Sequence, residues 1–286
     1  MRKKQPAQPT VPDVVRGIDY WKTVPATVDG VLGGFGTGTL PRVDALGSRS
    51  FLLSVLPRLS AVPPVTDDPV EWQKRKMEQR GGKGKTVTRA LDCGAGVGRV
   101  TETVLLRVVD EVHVTEPVEH FLAEAARLSS SWQSLTLPPS KQPFHARKAA
   151  HFHLSTLQAL DPARPWSSAD GGIYRPPIAP NPLQYDVVWC QWMLQHLSDP
   201  DLLAFFARAK ASLVPEDGVI VVKENVCPEM EDGSERVWWD EEDKSITRST
   251  QAYERVFREA GLTTIRAETQ MGFPQELYAV KMWALR

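Results

Sequence analysis

The sequence predicts an α/β domain built on a largely parallel sheet, with a helical cap in front of it. Three observations predict it. Short apolar, β-prone segments alternate with segments of helical spacing from Thr86 onward, the pattern of strands joined by crossover helices. One of those strands runs into three alternating glycines, Gly94, Gly96 and Gly98, with helical spacing following at once. Val219–Lys223 reads as a continuous apolar strand, as expected of a sheet covered on both faces.

In chain order, Val14–Leu59 reads as a mostly helical cap with a glycine-rich loop. Thr86–Cys93 is the first strand of the sheet, and Val97–Val109 has helical spacing. Glu111–Thr115 is β-prone, Val118–Leu128 helical, and Ala150–Leu154 a weaker strand. Tyr185–Cys190 is a strong strand, and Pro200–Leu213 a helix that stops at Pro215-Glu-Asp-Gly218. After Val219–Lys223, Ser245–Ala260 reads as one helix with Gly261 at its C′ position. Leu262–Thr269 and Glu276–Leu285 read as a closing antiparallel pair.

The remaining chain lacks apolar periodicity. Residues 1–15 are polar and Pro-rich and read as a disordered tail, leaving 16–286 as a single domain. Three stretches, near 62–85, 129–147 and 161–183, carry turn chemistry and read as surface insertions.

Composition narrows the partners. The 286 residues are 42% hydrophobic and 24% charged, enough for one sizeable core, and the net charge is −1. No global field draws the chain to nucleic acid or an anionic membrane, so neither is expected as a partner, and a monomer is expected. Cys93, Cys190 and Cys227 form no C-x-x-C pair, and no His cluster has zinc-ligand spacing. Free thiols and the lack of a secretory signal suggest a reducing compartment, the cytoplasm with the nucleus as a second site.

The segment Ala90-Leu91-Asp92-Cys93-Gly94-Ala95-Gly96-Val97-Gly98-Arg99 carries the most chemical information. Glycines let the chain turn tightly and a bulky ligand lie against the backbone, and the following helix start offers unpaired N–H groups. A dinucleotide fingerprint places its third glycine where Arg99 stands. The Asp-preceded G-x-G-x-G form instead resembles motif I of the class I methyltransferases. There Arg99 is placed to pair with a cofactor carboxylate. Glu116, beyond the next strand, stands where such folds set an acid against the ribose hydroxyls.

Two further segments are more specific. They are Tyr20-Trp21-Lys22-Thr23-Val24-Pro25-Ala26-Thr27-Val28-Asp29-Gly30-Val31-Leu32-Gly33-Gly34-Phe35-Gly36 and Val188-Trp189-Cys190-Gln191-Trp192-Met193-Leu194-Gln195-His196-Leu197-Ser198-Asp199. With the glycine segment they closely resemble the eukaryotic α-N-terminal protein methyltransferases, over about Tyr20 to Arg286. The resemblance implies a seven-stranded Rossmann-like class I sheet, S-adenosyl-L-methionine as cofactor, and protein N-termini beginning Xaa-Pro-Lys as partners. It implies cofactor contacts from Trp21, Asp92, Gly94, Gly96, Gly98, Arg99, Glu116, Leu157, Gln158 and Gln191. It further implies Asp243 and His196 as the base or amine-positioning pair and Asp240 as the contact to the substrate lysine. Asn225 would bond the substrate main chain, Trp192 would pack on its proline, and Leu32 and Leu277 would line the peptide channel. Two departures stand out: Glu116 replaces the family's usual Asp, and Phe35 stands where some members carry Tyr.

The residues are compatible with that chemistry on physical grounds. A free α-amine has a pKa of roughly 7.7–8.0, so a positioned carboxylate or imidazole suffices to keep it neutral. The compact proline ring lacks an N–H that needs a buried partner. Two other readings use the same motifs: a methyltransferase acting on a small metabolite, and a cofactor-binding scaffold without turnover. The first has no reason to keep the Tyr20–Gly36 box, and intact candidates at Asp92, Gly94, Gly96, Arg99, Glu116, His196 and Asp243 argue against the second.

Overall fold

The computed structural model describes residues 10–81, 87–143, 147–165 and 182–286. Ahead of the sheet come helices α1 (Val14–Trp21), α2 (Val28–Val31), α3 (Leu40–Val55) and α4 (Pro69–Gly81). The first half of the sheet is β1 (Arg89–Cys93), β2 (Glu111–Glu116) and β3 (Ala149–Leu154). Between β1 and β2 lies a helix whose Thr101–Leu105 is π-helical and whose end, α5 (Leu106–Val108), is α-helical. Helices α6 (Glu119–Ser129) and α7 (Gln133–Thr136) connect β2 to β3. Then follow β4 (Val187–Gln191), α8 (Asp199–Ala211), β5 (Val219–Val226), β6 (Val237–Trp239), β7 (Ile246–Arg248), α9 (Thr250–Glu259), β8 (Thr264–Thr269) and β9 (Ala279–Leu285).

Seven strands form one sheet in the order β3-β2-β1-β4-β5-β9-β8, and β6-β7 form a separate ribbon. All pairs from β3 to β5 are parallel, and β9 runs antiparallel to both β5 and β8. The chain leaves β1 towards β2 and β3 and later returns to β4 on the other side. Strand order therefore reverses between β1 and β4, the crevice where open α/β sheets bind ligands. Apolar side chains fill both faces. Phe51, Leu52, Val104, Leu105, Trp189 and Ala284 are buried on the α3 side. Leu91, Val188, Phe205, Phe206, Phe257 and Trp283 are buried on the α8–α9 side. All five residues of β4 are buried accordingly.

Several sequence expectations need correction. The tail is shorter than 1–15: Asp13 caps α1 by accepting from the Arg16 N–H, so Val14 and Val15 are helical. The stretch 62–85 contains α4, started by Asp68, whose Oδ1 accepts from the N–H groups of Val70 and Glu71, with Pro69 as first helical residue. Its turn chemistry is a helix start, and Trp72 is buried. In 129–147, Trp132 is only 2% exposed and belongs to the α3-side core. Its ring fills the space a side chain at Gly98 would occupy, since a Cβ there would lie 2.7 Å from the indole. The segment from Ser245 to Ala260 is not one helix. Ile246–Arg248 pairs with β6, and Ser249 then caps α9 by accepting from Ala252 N–H. Gly261 does terminate α9 with a left-handed φ of 68°. Residues 166–181, most of the third expected insertion, lie outside the described residues, as do 1–9.

Trp132→Ala should lower unfolding stability by about 3–5 kcal/mol, the cost of emptying a large core site. Chemical denaturation measures it. A change within about 0.5 kcal/mol would return this segment to the surface.

Candidate active site

β1 and β4 end side by side, and the loops beyond them form the floor of a cavity. Gly94 has φ 61° and Gly96 φ 56°, conformations that favour glycine. A Cβ on Gly94 would lie 2.8 Å from the Met193 side chain, and one on Gly96 would lie 3.3 Å from Val31. The same cavity wall includes Asp92, Arg99, Glu116, Leu157, Gln158, Gln191, Trp192, His196, Trp21 and Leu32. Ile18, Val31, Phe121 and Met193 add apolar surface.

Glu116 closes β2 with Oε2 accepting from Gly96 N–H at 2.8 Å and Oε1 from Val118 N–H at 2.9 Å. Each oxygen keeps lone-pair capacity for a ribose hydroxyl. Burial pushes its pKa up to about 7, against the pull of those two N–H groups. Asp92 accepts from Thr101 Oγ1 at 2.5 Å, and burial likewise lifts it to about 7. Gln158 Nε2 is a buried donor with no hydrogen-bond partner among the described residues. The polar equipment thus suits a ligand with a hydroxylated sugar and a heterocycle, and the glycine cradle admits its bulk.

The charged end of the cavity rests on a residue that the sequence reading missed. Asp44, fully buried on α3, accepts from Arg99 Nη1 at 2.5 Å and Gln191 Nε2 at 2.9 Å, and pairs with Lys223 Nζ at 2.6 Å. Burial alone would raise its pKa, but Arg99 and then Lys223 hold it below the usual carboxylate range. Burial lowers the pKa of Lys223, with Asp44 opposing. Gln191 is fixed from its other side as well, its Oε1 accepting from Trp189 Nε1–H at 3.1 Å. Arg99 therefore reaches the cavity held by Asp44, a preset site for a carboxylate. Both hidden residues had a signal: Asp44 shares the buried stripe of α3 with Leu40, Ser48, Phe51 and Leu52, and Lys223 interrupts an apolar strand.

On the acceptor side, the short turn Leu194–His196 after β4 carries His196. Its Nε2 accepts from Trp21 Nε1–H at 3.2 Å and lies 3.8 Å from Asp243 Oδ2. Asp243 Oδ1 is occupied by Ser245 N–H at 3.0 Å, so Oδ2 faces the imidazole. Burial lowers the pKa of His196, with Asp243 and Asp240 opposing. Gly17 of α1 makes this packing close, since a Cβ there would meet Asp243 O at 3.1 Å and His196 Nδ1 at 3.4 Å. Trp192 has φ 55°, a left-handed conformation strained for a tryptophan. Its ring lies under the Arg99 guanidinium at 5.5 Å and beside Phe273 at 6.2 Å.

Five expected contacts lie outside the cavity wall, Asp243 among them, which meets it through His196. Gly98 packs against Trp132 and Ala125, where a Cβ would lie 2.7 Å and 3.3 Å away. Asn225 is half-buried on β5 opposite Val280, on the same face as Lys223 but two residues farther along. Leu277 is half-buried in the turn before β9. Asp240 is exposed, with Oδ1 accepting from Glu242 N–H, though its charge still bears on His196.

Asp44→Ala should destabilise the fold by about 3–5 kcal/mol, because two buried cations lose their shared counter-ion. It should also weaken cofactor binding by about tenfold or more by freeing Arg99. Denaturation and calorimetric titration measure the two effects separately.

Known proteins place the chain in a family. Residues 13–63 and 71–286 match the model of a family described as AdoMet dependent proline di-methyltransferase. An alpha N-terminal protein methyltransferase 1 of Arabidopsis thaliana is 37% identical over 269 residues, 94% of this chain and 78% of that one. The Schizosaccharomyces pombe protein of the same name is 35% identical, over 94% and 93% of the two chains. An N-terminal Xaa-Pro-Lys N-methyltransferase 1 of Danio rerio is 32% identical, over 93% and 92%. Among solved structures, a SAM-dependent methyltransferase of Leishmania major superposes with a TM-score of 0.64 at 30% identity, covering 96% of this chain and 82% of that one. The chain is thus an S-adenosylmethionine-dependent methyltransferase of class I fold, and it belongs to the AdoMet dependent proline di-methyltransferase family.

Proposed function

We propose that this methyltransferase acts on the α-amine of proteins whose exposed N-terminus reads Xaa-Pro-Lys. The observation that carries the reading is the Trp21–His196 pair on the cavity wall, with Asp243 Oδ2 3.8 Å from the imidazole. When bound, S-adenosylmethionine supplies an electrophilic methyl group, held by Arg99 at its carboxylate, Glu116 at its ribose and Leu157–Gln158 at its base.

The residues around the acceptor then do three things. Asp243 Oδ2, with its partner oxygen occupied by Ser245, accepts a hydrogen bond from the amine and orients it. His196 is neutral near pH 7, because burial holds its pKa below 6.5. Its Nε2 takes the proton that the amine must lose once the Trp21 indole hydrogen bond lengthens. Trp192 offers an apolar ring to the substrate proline, with Leu32 lining the channel and Asn225 and Leu277 flanking its far end. The exposed Asp240 carboxylate meets the lysine ammonium.

Incubation of a synthetic Ser-Pro-Lys peptide with enzyme and S-adenosylmethionine, beside its N-acetylated copy, tests the reading by mass spectrometry. Mass gain in methyl steps on the free peptide alone is expected. Gain on both peptides would move the chemistry to the lysine side chain, and gain on neither would reject the protein-terminus reading.

Two kinetic outcomes should follow. His196→Gln should lower kcat by roughly 10²–10⁴-fold with cofactor binding retained, as for loss of a proton acceptor. The peptide's kcat/KM should rise with pH and level off above roughly 7.7–8.0, where its amine becomes neutral. The sign follows from the amine: its protonated form has no lone pair. A depressed His196 pKa sets its own loss of activity at lower pH.

A further inference from the structure

A second cluster of metal-ligating side chains lies on the sheet away from the acceptor pocket. The β2–β3 register sets His113 directly beside His151. Glu111, two residues earlier on β2, falls on the same face. One ligand atom from each of the three lies within 4.8 Å of the other two. We propose that Glu111, His113 and His151 bind one divalent transition-metal ion of the zinc type.

The surroundings of His113 argue for this. Its Nδ1 lies 3.0 Å from His153 Nε2, so one proton is shared between the rings. With that proton on His113 Nδ1, the Nε2 lone pair is left for an ion. A metal-bound imidazole is commonly held by such a second hydrogen bond. His113 packs on His151 with centroids 4.7 Å apart and stacks on His153 at 5.3 Å.

Other elements also face the cluster. Arg89 of β1 donates from Nε to Glu111 Oε2 at 2.7 Å, which leaves Oε1 as the ligand oxygen. That guanidinium opposes a second cation, so the affinity expected is on the order of micromolar rather than that of a closed structural zinc site. Tyr185 meets His113 edge-on at 5.7 Å. Its hydroxyl and His153 Nδ1 are buried without a hydrogen-bond partner among the described residues, so the polar capacity here exceeds what those residues use. Two imidazoles and one carboxylate suit zinc, nickel or cobalt rather than calcium or magnesium, which prefer oxygen ligands. An ion here would clamp β2 to β3 upstream of Glu116 and of Ser155–Gln158, which line the cofactor cavity.

The test is calorimetric titration of the chelator-treated full chain with zinc chloride, with cobalt chloride followed by visible absorption. One equivalent should bind, and at about a hundredfold excess over Kd the Tm should rise by roughly 5 °C. His151→Ala and Glu111→Gln should each weaken binding at least tenfold, and His153→Gln by about 10–100-fold. In chelator, His151→Ala should melt with the unsubstituted chain, which separates lost ligation from lost folding. If His151→Ala does not fold, Glu111→Gln at its half-buried position decides. No binding, or binding unchanged in both variants, overturns the proposal. Binding lost in His196→Gln but kept in His151→Ala overturns it too, by moving the ion to the acceptor pocket.

Discussion

Asp44 is a single carboxylate, fully buried between two cations and an amide, and three parts of the molecule meet on it. Arg99 comes from the helix after the glycine loop, Gln191 from the end of β4, and Lys223 from β5. Asp44 itself comes from α3, in the cap that precedes the sheet. Removing Asp44 leaves two buried cations without their counter-ion, so the cap and the sheet edge are tied electrostatically as well as by apolar packing. Lys223 extends the tie to the β8–β9 turn, donating to Gln270 at 2.7 Å. The cap is therefore built into the cavity wall, through Arg99 and Gln191, rather than attached to it.

The same constraint orders the two halves of the active site. Arg99, held by Asp44, lies over the Trp192 ring, and Trp192 begins the turn that ends at His196. Glu224, the neighbour of Lys223 on the opposite face, secures that turn by accepting from the N–H groups of Met193 and Leu194. The strained backbone at Trp192 is thus held from both faces of β5, which is how an unfavourable conformation persists at a working position. The acceptor pocket is completed by α1, whose Gly17 packs on the His196–Asp243 pair and whose Trp21 donates to the imidazole.

Much of this was legible in the sequence. The alternation of strands and helices pointed to the sheet, and the glycine segment with Glu116 pointed to the cavity at the switch point, because both patterns are local. His196, Asp243, Trp21 and Trp192 came from a family resemblance, since nothing in their spacing brings residues 21, 196 and 243 together. Asp44 and Lys223 were hidden because a buried ion pair is defined by partners distant in sequence, and each residue alone looks like an ordinary charge. Asp68-Pro69 and Ser249 were misread as turn or helix interior although each is a capping signal. Gly98 was expected at the cofactor with Gly94 and Gly96, but it lies off the cavity wall and its constraint is the Trp132 ring.

The most direct measurement is a crystal structure with S-adenosylhomocysteine and a Ser-Pro-Lys peptide. The account expects the peptide's α-nitrogen between Asp243 and His196, about 3–3.5 Å from where the methyl carbon would sit, with the proline ring on Trp192. A lysine Nζ at that position, or a peptide bound away from the cavity, would contradict it.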